Sequence, residues 1–233
     1  SEWSKYRWAP VNAEHTASLR DEEGYMWHES DQVEEHVDLD EVEGEIRAQI
    51  ERCKRLGLTN PSHLDNHMGS LYGIETGRFE LLELTLSLAG EYGLPFRFPG
   101  SFTEAQFNNT MLDINIDKSM IEMVFGKVVA FAKQQGVAIP DYLMPNEWNE
   151  PQTQSYEQFR EYLYDLYASI PEGVTETYLH PAKESDDLKG TSSVWERRVW
   201  EYRVMSDPAT KQHIEAHGIK LINYRDLAAM RKA

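Results

Sequence analysis

The sequence has one cysteine and no long apolar run. A single thiol, Cys53, excludes an intrachain disulfide framework, and its position on the apolar side of a helical pattern predicts a core residue. No stretch approaches the roughly 18 consecutive apolar residues that a membrane-spanning helix needs, so we predict no membrane partner. No signal peptide is visible, and the chain begins with Ser1 rather than Met. We therefore expect a cytoplasmic protein whose amino terminus has been trimmed.

Positive charge is also scarce. Lys and Arg number 23 against 40 Asp and Glu, which gives a formal net charge of -17. Such a surface repels phosphate backbones, so nucleic acid is not an expected partner, and a neutral or cationic ligand fits better. The length of 233 residues is enough to bury a core, and no Pro/Gly/Ser-rich linker divides the chain. We predict a single α/β domain over residues 1–233.

Helical and extended runs alternate along residues 38–233. Apolar spacing and glycine stops predict helices over 37–57, 77–93, 118–136, 153–170, 193–205, 207–218 and 225–232. Extended runs predict strands over 62–65, 94–100, 137–144, 174–181 and 219–224. This alternation indicates parallel βα units, with strands that end near Asp65, Arg97, Leu143, His180 and Tyr224.

The predicted strands are too few to close a barrel. Five strands are present, whereas a (β/α) barrel commonly has about eight. Residues 1–37 supply no further strand and read as a long loop rich in aromatic residues. We therefore expect a barrel that is incomplete at its amino-terminal end, with unpaired edges that a second copy of the chain could cover as a homo-oligomer.

Polar side chains follow three of the predicted strands. In "PSHLDNHMG" (61–69), His63, Asp65 and His67 alternate, so on a strand they share one face. Arg97 in "FRFPG" and His180 in "TYLHPA" occupy two other strand ends. Reactive groups gather at the carboxyl ends of parallel strands, and imidazoles suit zinc and other divalent ions. A further histidine could protonate a leaving group.

Each of these residues also has a purely structural interpretation. The HxDxH pattern is a weak motif on its own. His63 could hydrogen-bond a neighbouring backbone group, and Asp65 could cap the turn that follows it. Arg97 could be an ordinary ion-pair partner, and His180 could end a strand without any chemical task.

Four segments, in their order along the chain, resemble one family. "SEWSKYRWAP", "SHLDNHMG", "TYLHP" and "GIKLINYRDL" are similar to segments of the YdjC-like carbohydrate deacetylases, the chitooligosaccharide deacetylase type. The resemblance runs along nearly the whole chain. It implies an irregular (β/α) barrel of the polysaccharide-deacetylase type. It also implies a divalent metal, Mg or Zn, and removal of acetyl groups from N-acetylated sugars or oligosaccharides.

The resemblance also implies roles for individual residues. His67 matches the metal histidine of the family's aspartate-x-histidine motif, and His63 and Asp65 match polar positions beside it. We take His63 as a second metal candidate and Asp65 as a catalytic one. His180 looks like the family's general acid. Arg97 is similar to an arginine that steadies a catalytic carboxylate in related polysaccharide deacetylases.

The sequence departs from the family at its start. The family opens with a strand ending in paired aspartates, and a later strand carries another metal histidine; neither has a match here. Ser1 falls just after the place where that histidine strand would end. We therefore expect a deacetylase-like chain that lacks its first segment, has one matched metal ligand of three and binds metal weakly by itself.

The sequence is also compatible with other functions. Trp3, Trp8 and Trp27 are predicted to stack on sugar rings, and plain packing over the barrel mouth is the alternative. A non-catalytic carbohydrate-binding barrel would keep the cleft without the chemistry. Another metal-dependent barrel enzyme, such as a sugar isomerase, would need carboxylates at several strand ends, where only Asp65 and Asp141 are candidates.

Overall fold

The chain forms two compact units. The structure is a computed structural model that describes residues 1, 3–103 and 118–232. Among these, residues 1, 3–100, 118–139 and 224–232 form the first unit, and residues 101–103 and 140–223 form the second. Each unit has its own buried side chains. The single domain over 1–233 stays a prediction.

Helices dominate the described residues. In chain order they are α1 (Ser30–His36), α2 (Leu39–Arg55), α3 (Glu80–Glu91), α4 (Lys118–Gln134), α5 (Tyr156–Ala168), α6 (Asp186–Thr191), α7 (Trp195–Ser206), α8 (Pro208–Ala216) and α9 (Tyr224–Lys232). A 3-10 turn covers His67–Gly69. The two strands of the described residues are β1 (Tyr142–Leu143) and β2 (Thr175–Glu176). No helix among them is both long and apolar enough to cross a membrane.

Side-chain caps begin several of these helices. The carboxylate of Asp38 accepts hydrogen bonds from the backbone N–H groups of Asp40 and Glu41 at the start of α2. Asp207 caps α8 in the same way, and Pro208 occupies its first position, where no N–H is needed. The helices predicted around 37–57 and 207–218 are therefore confirmed, with ends a few residues inside the predicted ones.

The first unit buries one face each of α2 and α3. Leu19, Val37, Val42 and Leu81 form a buried apolar cluster. Gly90 lets α3 approach the end of α4 closely, because a Cβ at this position would lie 2.6 Å from the carbonyl oxygen of Gln135. Burial of this apolar surface, more than local helix propensity, keeps the helices of the first unit in place.

Two extended segments of the first unit run side by side in parallel. Leu64 pairs with Phe96 in an isolated parallel bridge, with N···O distances of 2.8 Å (Leu64 to Pro95) and 3.1 Å (Arg97 to Leu64). The parallel direction predicted for the segments at 62–65 and 94–100 is confirmed, but neither segment forms the regular strand that was predicted. One reason is that proline in "LPFRFPG" lacks the N–H that a longer ladder would use.

The second unit holds a short parallel sheet and three packed helices. Tyr142 pairs with Thr175 and Leu143 with Glu176, which confirms parallel strands within 137–144 and 174–181. Helices α5, α7 and α8 enclose a cluster of buried side chains, listed here in chain order: Tyr156, Phe159, Leu163, Tyr167, Val204 and Ile214. Burial raises the pKa of the Tyr167 hydroxyl to about 12.

Two predictions about elements are wrong, and one helix was not predicted. No strand is formed over residues 219–223, where Leu221 is 68% exposed, since an extended run without a covering layer has nothing to pack against. The loop predicted over 1–37 contains α1 and an antiparallel bridge between Arg20 and Met26. Helix α6 was not predicted, because its polar sequence has no apolar periodicity. The polysaccharide-deacetylase-type barrel stays a prediction; the described residues are mostly helical with a small parallel sheet.

Candidate functional site

An ion pair lies where the two parallel segments of the first unit end. Nη1 of Arg97 lies 2.9 Å from Oδ2 of Asp65, and each residue directly follows a member of the Leu64–Phe96 bridge. The hydroxyl of Tyr72 donates to the carbonyl oxygen of Arg97 at 2.7 Å. The sequence placed Asp65 and Arg97 at the ends of two predicted strands, and the structure brings the two side chains into contact.

A strained turn follows Asp65. Met68 has φ of 60° and Gly69 has φ of 70°, so two successive residues adopt the left-handed conformation that costs about 1–2 kcal/mol at a non-glycine residue. The hydroxyl of Ser30 donates to the carbonyl oxygen of Met68 at 2.9 Å. The turn that carries His67 is therefore held from the start of α1, and strain of this kind is common at functional sites.

Asn66 closes the same turn from inside. It is 8% exposed, and its Oδ1 accepts a hydrogen bond from the backbone N–H of Leu71 at 3.2 Å. Its Nδ2 is buried without a hydrogen-bond partner among the described residues. A buried unpaired amide costs about 1–3 kcal/mol. The turn therefore has two unfavourable features, the left-handed backbone at Met68 and the buried amide of Asn66.

The turn and the Asp65 side of the ion pair border a cavity of about 390 Å³ in the first unit. Its walls are apolar on the side of α1 and α2, with Val33, Val42 and Ile46 among the lining residues. Its polar lining residues include the following, in chain order: Glu45, Gln49, His63, Asp65, Asn66 and His67. Cys53 also lines it and is only half-buried, which makes it a less buried residue than the sequence predicted.

The two histidines of the motif have aromatic neighbours. The ring of His63 stacks on Tyr224 with centroids 3.9 Å apart, and its Nδ1 lies 2.9 Å from the Ser62 hydroxyl. The exposed His67 meets the ring of Trp8 at 5.9 Å, in an edge-on arrangement. Trp8 is 39% exposed and lines the cavity. Trp8 and His67 together therefore offer an accessible apolar and polar surface.

The other predicted sugar-stacking residues lie differently. Trp27 lines the cavity, but its Nε1 donates to the carbonyl oxygen of Ser18 at 2.7 Å and its ring stacks on His36 at 4.1 Å. Packing therefore holds Trp27. Trp3 is half-buried and is not among the described residues that line the cavity.

Carboxylates on α2 hold the aromatic amino-terminal segment. Glu45, only 3% exposed, accepts hydrogen bonds from the backbone N–H groups of Val11 and Asn12, both at 2.8 Å. Oε2 of Glu41 accepts from the hydroxyl of Ser18 at 2.6 Å and from its backbone N–H at 2.8 Å. The hydrogen bond from the Ser18 hydroxyl is the main reason that the pKa of the Glu41 carboxyl is lowered, against the opposing effect of burial.

The described residues do not by themselves fit a metal centre. They contain no group of three or more His, Cys, Asp or Glu side chains that could hold a metal ion. A catalytic zinc typically uses about three protein ligands. The described residues therefore supply at most part of such a site.

His180 lies in the second unit, in a segment that a buried carboxylate holds. Its backbone N–H donates to Oε2 of Glu201 at 2.6 Å, and its ring meets Tyr178 edge-on at 5.9 Å. Glu201 is fully buried and also accepts hydrogen bonds from Asn146 and Arg197, both at 2.9 Å. The sequence identified His180 as a candidate site residue but did not identify Glu201, because Glu201 looks like one more charged residue on a polar helix.

Comparison with known proteins places the chain in a family. Residues 2–216 match the family model described as YdjC-like protein. The chain belongs to the YdjC-like family. The resemblance stated from the four sequence segments is thereby confirmed.

Similar YdjC-like proteins carry functional names. A carbohydrate deacetylase of Enterococcus faecalis is 30% identical over 212 residues, which cover 91% of this chain and 69% of that protein. A carbohydrate deacetylase of Thermoanaerobacter pseudethanolicus is 26% identical over 208 residues, 89% of this chain and 68% of that protein.

A solved structure is also similar. It is a crystal structure from Enterococcus faecalis described as a cellobiose-phosphate cleavage protein, with a TM-score of 0.67 and 28% sequence identity. The match covers 94% of this chain and 72% of that one. The arrangement of helices and short parallel segments is therefore similar to that of this solved structure.

Sequence reasoning missed several residues that shape these two sites. Ser30, Asn66 and Tyr72 hold the turn and the ion pair of the first unit. Asn66 lies between Asp65 and His67 in the motif. Asparagine is common in turns, so its presence there could have indicated a turn. Ser30 is far from the motif along the chain, so no local pattern could reveal its contact.

Proposed function

We propose that this chain, as part of a YdjC-like enzyme, removes acetyl groups from N-acetylated sugars or oligosaccharides. The observation that carries the proposal is its 30% identity to a carbohydrate deacetylase over 91% of its length. The reaction is amide hydrolysis. Water adds to the acetyl carbon, the C–N bond breaks, and acetate and a protonated amine leave.

Residues of the first unit are proposed to bind and orient the sugar. Asp65 is a carboxylate that Arg97 holds at 2.9 Å, so it offers a fixed acceptor for a hydroxyl or amide N–H group. Trp8, which is accessible beside His67, offers a ring on which a sugar can stack. Trp27 is a weaker candidate because its ring already stacks on His36. Trp3 keeps its predicted role as a proposal.

We propose His180 as the proton donor to the departing amine, as the family resemblance implies. A general acid is expected to contribute about 10²- to 10⁴-fold in rate. We further propose that the reaction depends on a divalent metal, Mg or Zn, with His67 as one ligand and His63 beside it. The remaining ligands would come from outside the described residues. A homo-oligomer and a cytoplasmic location also stay proposals.

The test measures acetate release from N-acetylated chito-oligosaccharides by three variants of the complete enzyme of which this chain is proposed to be a part. His67→Ala should abolish release and metal retention together. His180→Ala should retain metal and lose about 10²- to 10⁴-fold in turnover, yet keep activity on an activated acetyl ester whose leaving group needs no proton. His217→Ala, at an exposed position after α8, is the matched control and should match the parent protein.

Three outcomes would change the proposal. If His180→Ala loses metal as completely as His67→Ala, His180 is a ligand rather than a proton donor. If chelation leaves acetate release unchanged, metal dependence is wrong. If the parent protein binds the oligosaccharides without releasing acetate, a carbohydrate-binding role replaces the enzymatic one. Cellobiose phosphate has no acetyl group, so it is tested separately by following the release of its sugar products, because a similar structure is named for its cleavage.

A further inference from the structure

A fully buried carboxylate in the second unit holds the main chain at His180. Glu201 lies on α7 with 0% exposure, and its Oε2 accepts a hydrogen bond from the backbone N–H of His180 at 2.6 Å. His180 itself is exposed and lies outside the helices and strands of the described residues. Its N–H therefore has no ladder or helical acceptor, and Glu201 supplies one from the interior.

The same carboxylate is bound on its other oxygen. Oε1 of Glu201 accepts hydrogen bonds from Nδ2 of Asn146 and from Nε of Arg197, both at 2.9 Å. Arg197 also donates through Nη2 to the backbone carbonyl oxygen of Asn146 at 2.9 Å and contacts the Oδ1 of the same residue. The carboxylate cannot shift without breaking several of these bonds, so it forms a rigid anchor.

Stability alone is a weak reason for such a group. Replacing a buried ion pair with well-packed apolar residues is often neutral or stabilising, because two charges have been taken out of water. The arrangement is better suited to fixing position. It joins the segment after β1, through Asn146, and the segment after β2, through His180, to one helix.

We propose that Glu201 is the positioning residue for His180. Its carboxylate fixes the backbone from which the imidazole projects, so that the proton donor stands in a constant place while its side chain stays exposed. This inference rests on the proposed role of His180 as the general acid. Arg197 and Asn146 act through Glu201, because they hold its carboxylate in place.

The first test needs no enzymatic activity. Amide hydrogen exchange at His180 in the parent protein should be slowed by about 100-fold or more relative to an unprotected amide, although the residue is exposed and outside regular structure. Glu201→Gln should accelerate this exchange by at least about tenfold, because an uncharged amide is a weaker acceptor. Unprotected exchange at His180 in the parent protein would overturn the proposal without any variant.

The second test separates positioning from general destabilisation. Glu201→Gln should lower kcat for acetate release from the N-acetylated oligosaccharide by roughly 10- to 100-fold at unchanged KM, within the range open to a general acid. Hydrolysis of an activated acetyl ester should stay within about twofold, since its leaving group needs no proton. Glu196→Gln makes the same change at an exposed position of α7 and should leave both rates unchanged.

The outcomes distinguish this inference from the proposed function. An equal loss on both substrates would mean that Glu201 supports the fold only, and the positioning role would be wrong. If His180→Ala shows no selective loss on the amide, the general-acid role fails, while exchange at His180 still reports whether Glu201 anchors its backbone. Should Glu201→Gln not fold, Arg197→Lys disturbs the same carboxylate and should give the same selective loss, smaller in size.

Discussion

The ion pair between Asp65 and Arg97 is expected to contribute little to stability. We consider Arg97→Met, which keeps the apolar stem of the side chain and removes the charge, together with Asp65→Asn and the double variant. The N···O distance is 2.9 Å, and the two side chains are 20% (Arg97) and 39% (Asp65) exposed. Coulomb's law gives roughly 1.4 kcal/mol for unit charges at this distance in water.

Solvent and side-chain entropy reduce that figure. Ion pairs with comparable access to water usually couple by about 0.2–1 kcal/mol, so we expect a coupling of about 1 kcal/mol at most in a double-mutant cycle. A domain is typically stable by about 5–15 kcal/mol, so Arg97→Met should remain folded. Any large fall in acetate release by this variant would then come from the loss of the orientation that Arg97 gives to Asp65.

Urea unfolding at low and at high salt measures this coupling. It should shrink at high salt, because exposed charges are screened. Arg52→Met, the same change at an exposed position of α2, should alter stability by less than about 0.5 kcal/mol. A coupling above about 3 kcal/mol, or one that salt does not change, would refute the argument, since it would mean that the pair is shielded from water.

Three further predictions concern stability. Glu41 has a pKa below its usual 4.5, so its stabilising effect is present above that pH and is lost as the pH falls through the lowered value; urea unfolding at pH 6 and pH 3 should show less loss for Glu41→Gln than for the parent, and equal losses would contradict this. Gly90→Ala should destabilise by about 1–3 kcal/mol because its Cβ would lie 2.6 Å from Gln135, whereas Gly126→Ala has open space and should be stabilising. Phe96→Ala, at a fully buried position, should cost about 3–5 kcal/mol in the same assay, and a loss below 1 kcal/mol would mean that the site collapses freely.

The spacing of apolar residues and the helix-capping residues were enough to identify most helices and the parallel direction of the short extended segments. The apolar spacing of α2, its cap at Asp38 and the proline that begins α8 are properties of a few consecutive residues, so they can be recognised without knowing what the helices pack against. The parallel direction of the Leu64–Phe96 bridge also followed from the alternation of helix and strand. The same local reasoning failed for α6, which is too short and polar to carry a periodic signal.

The sequence by itself therefore indicated the family, the long helices and the place of Asp65 and Arg97 at the ends of two extended segments. Only the tertiary structure decided which distant groups hold these segments. Ser30 reaches Met68 across 38 residues, and Glu201 reaches the backbone of His180 across 21. Such contacts join a side chain to a main-chain group, and main-chain groups are the same at every position. No residue type marks the partner in advance, and only the folded chain brings the two together.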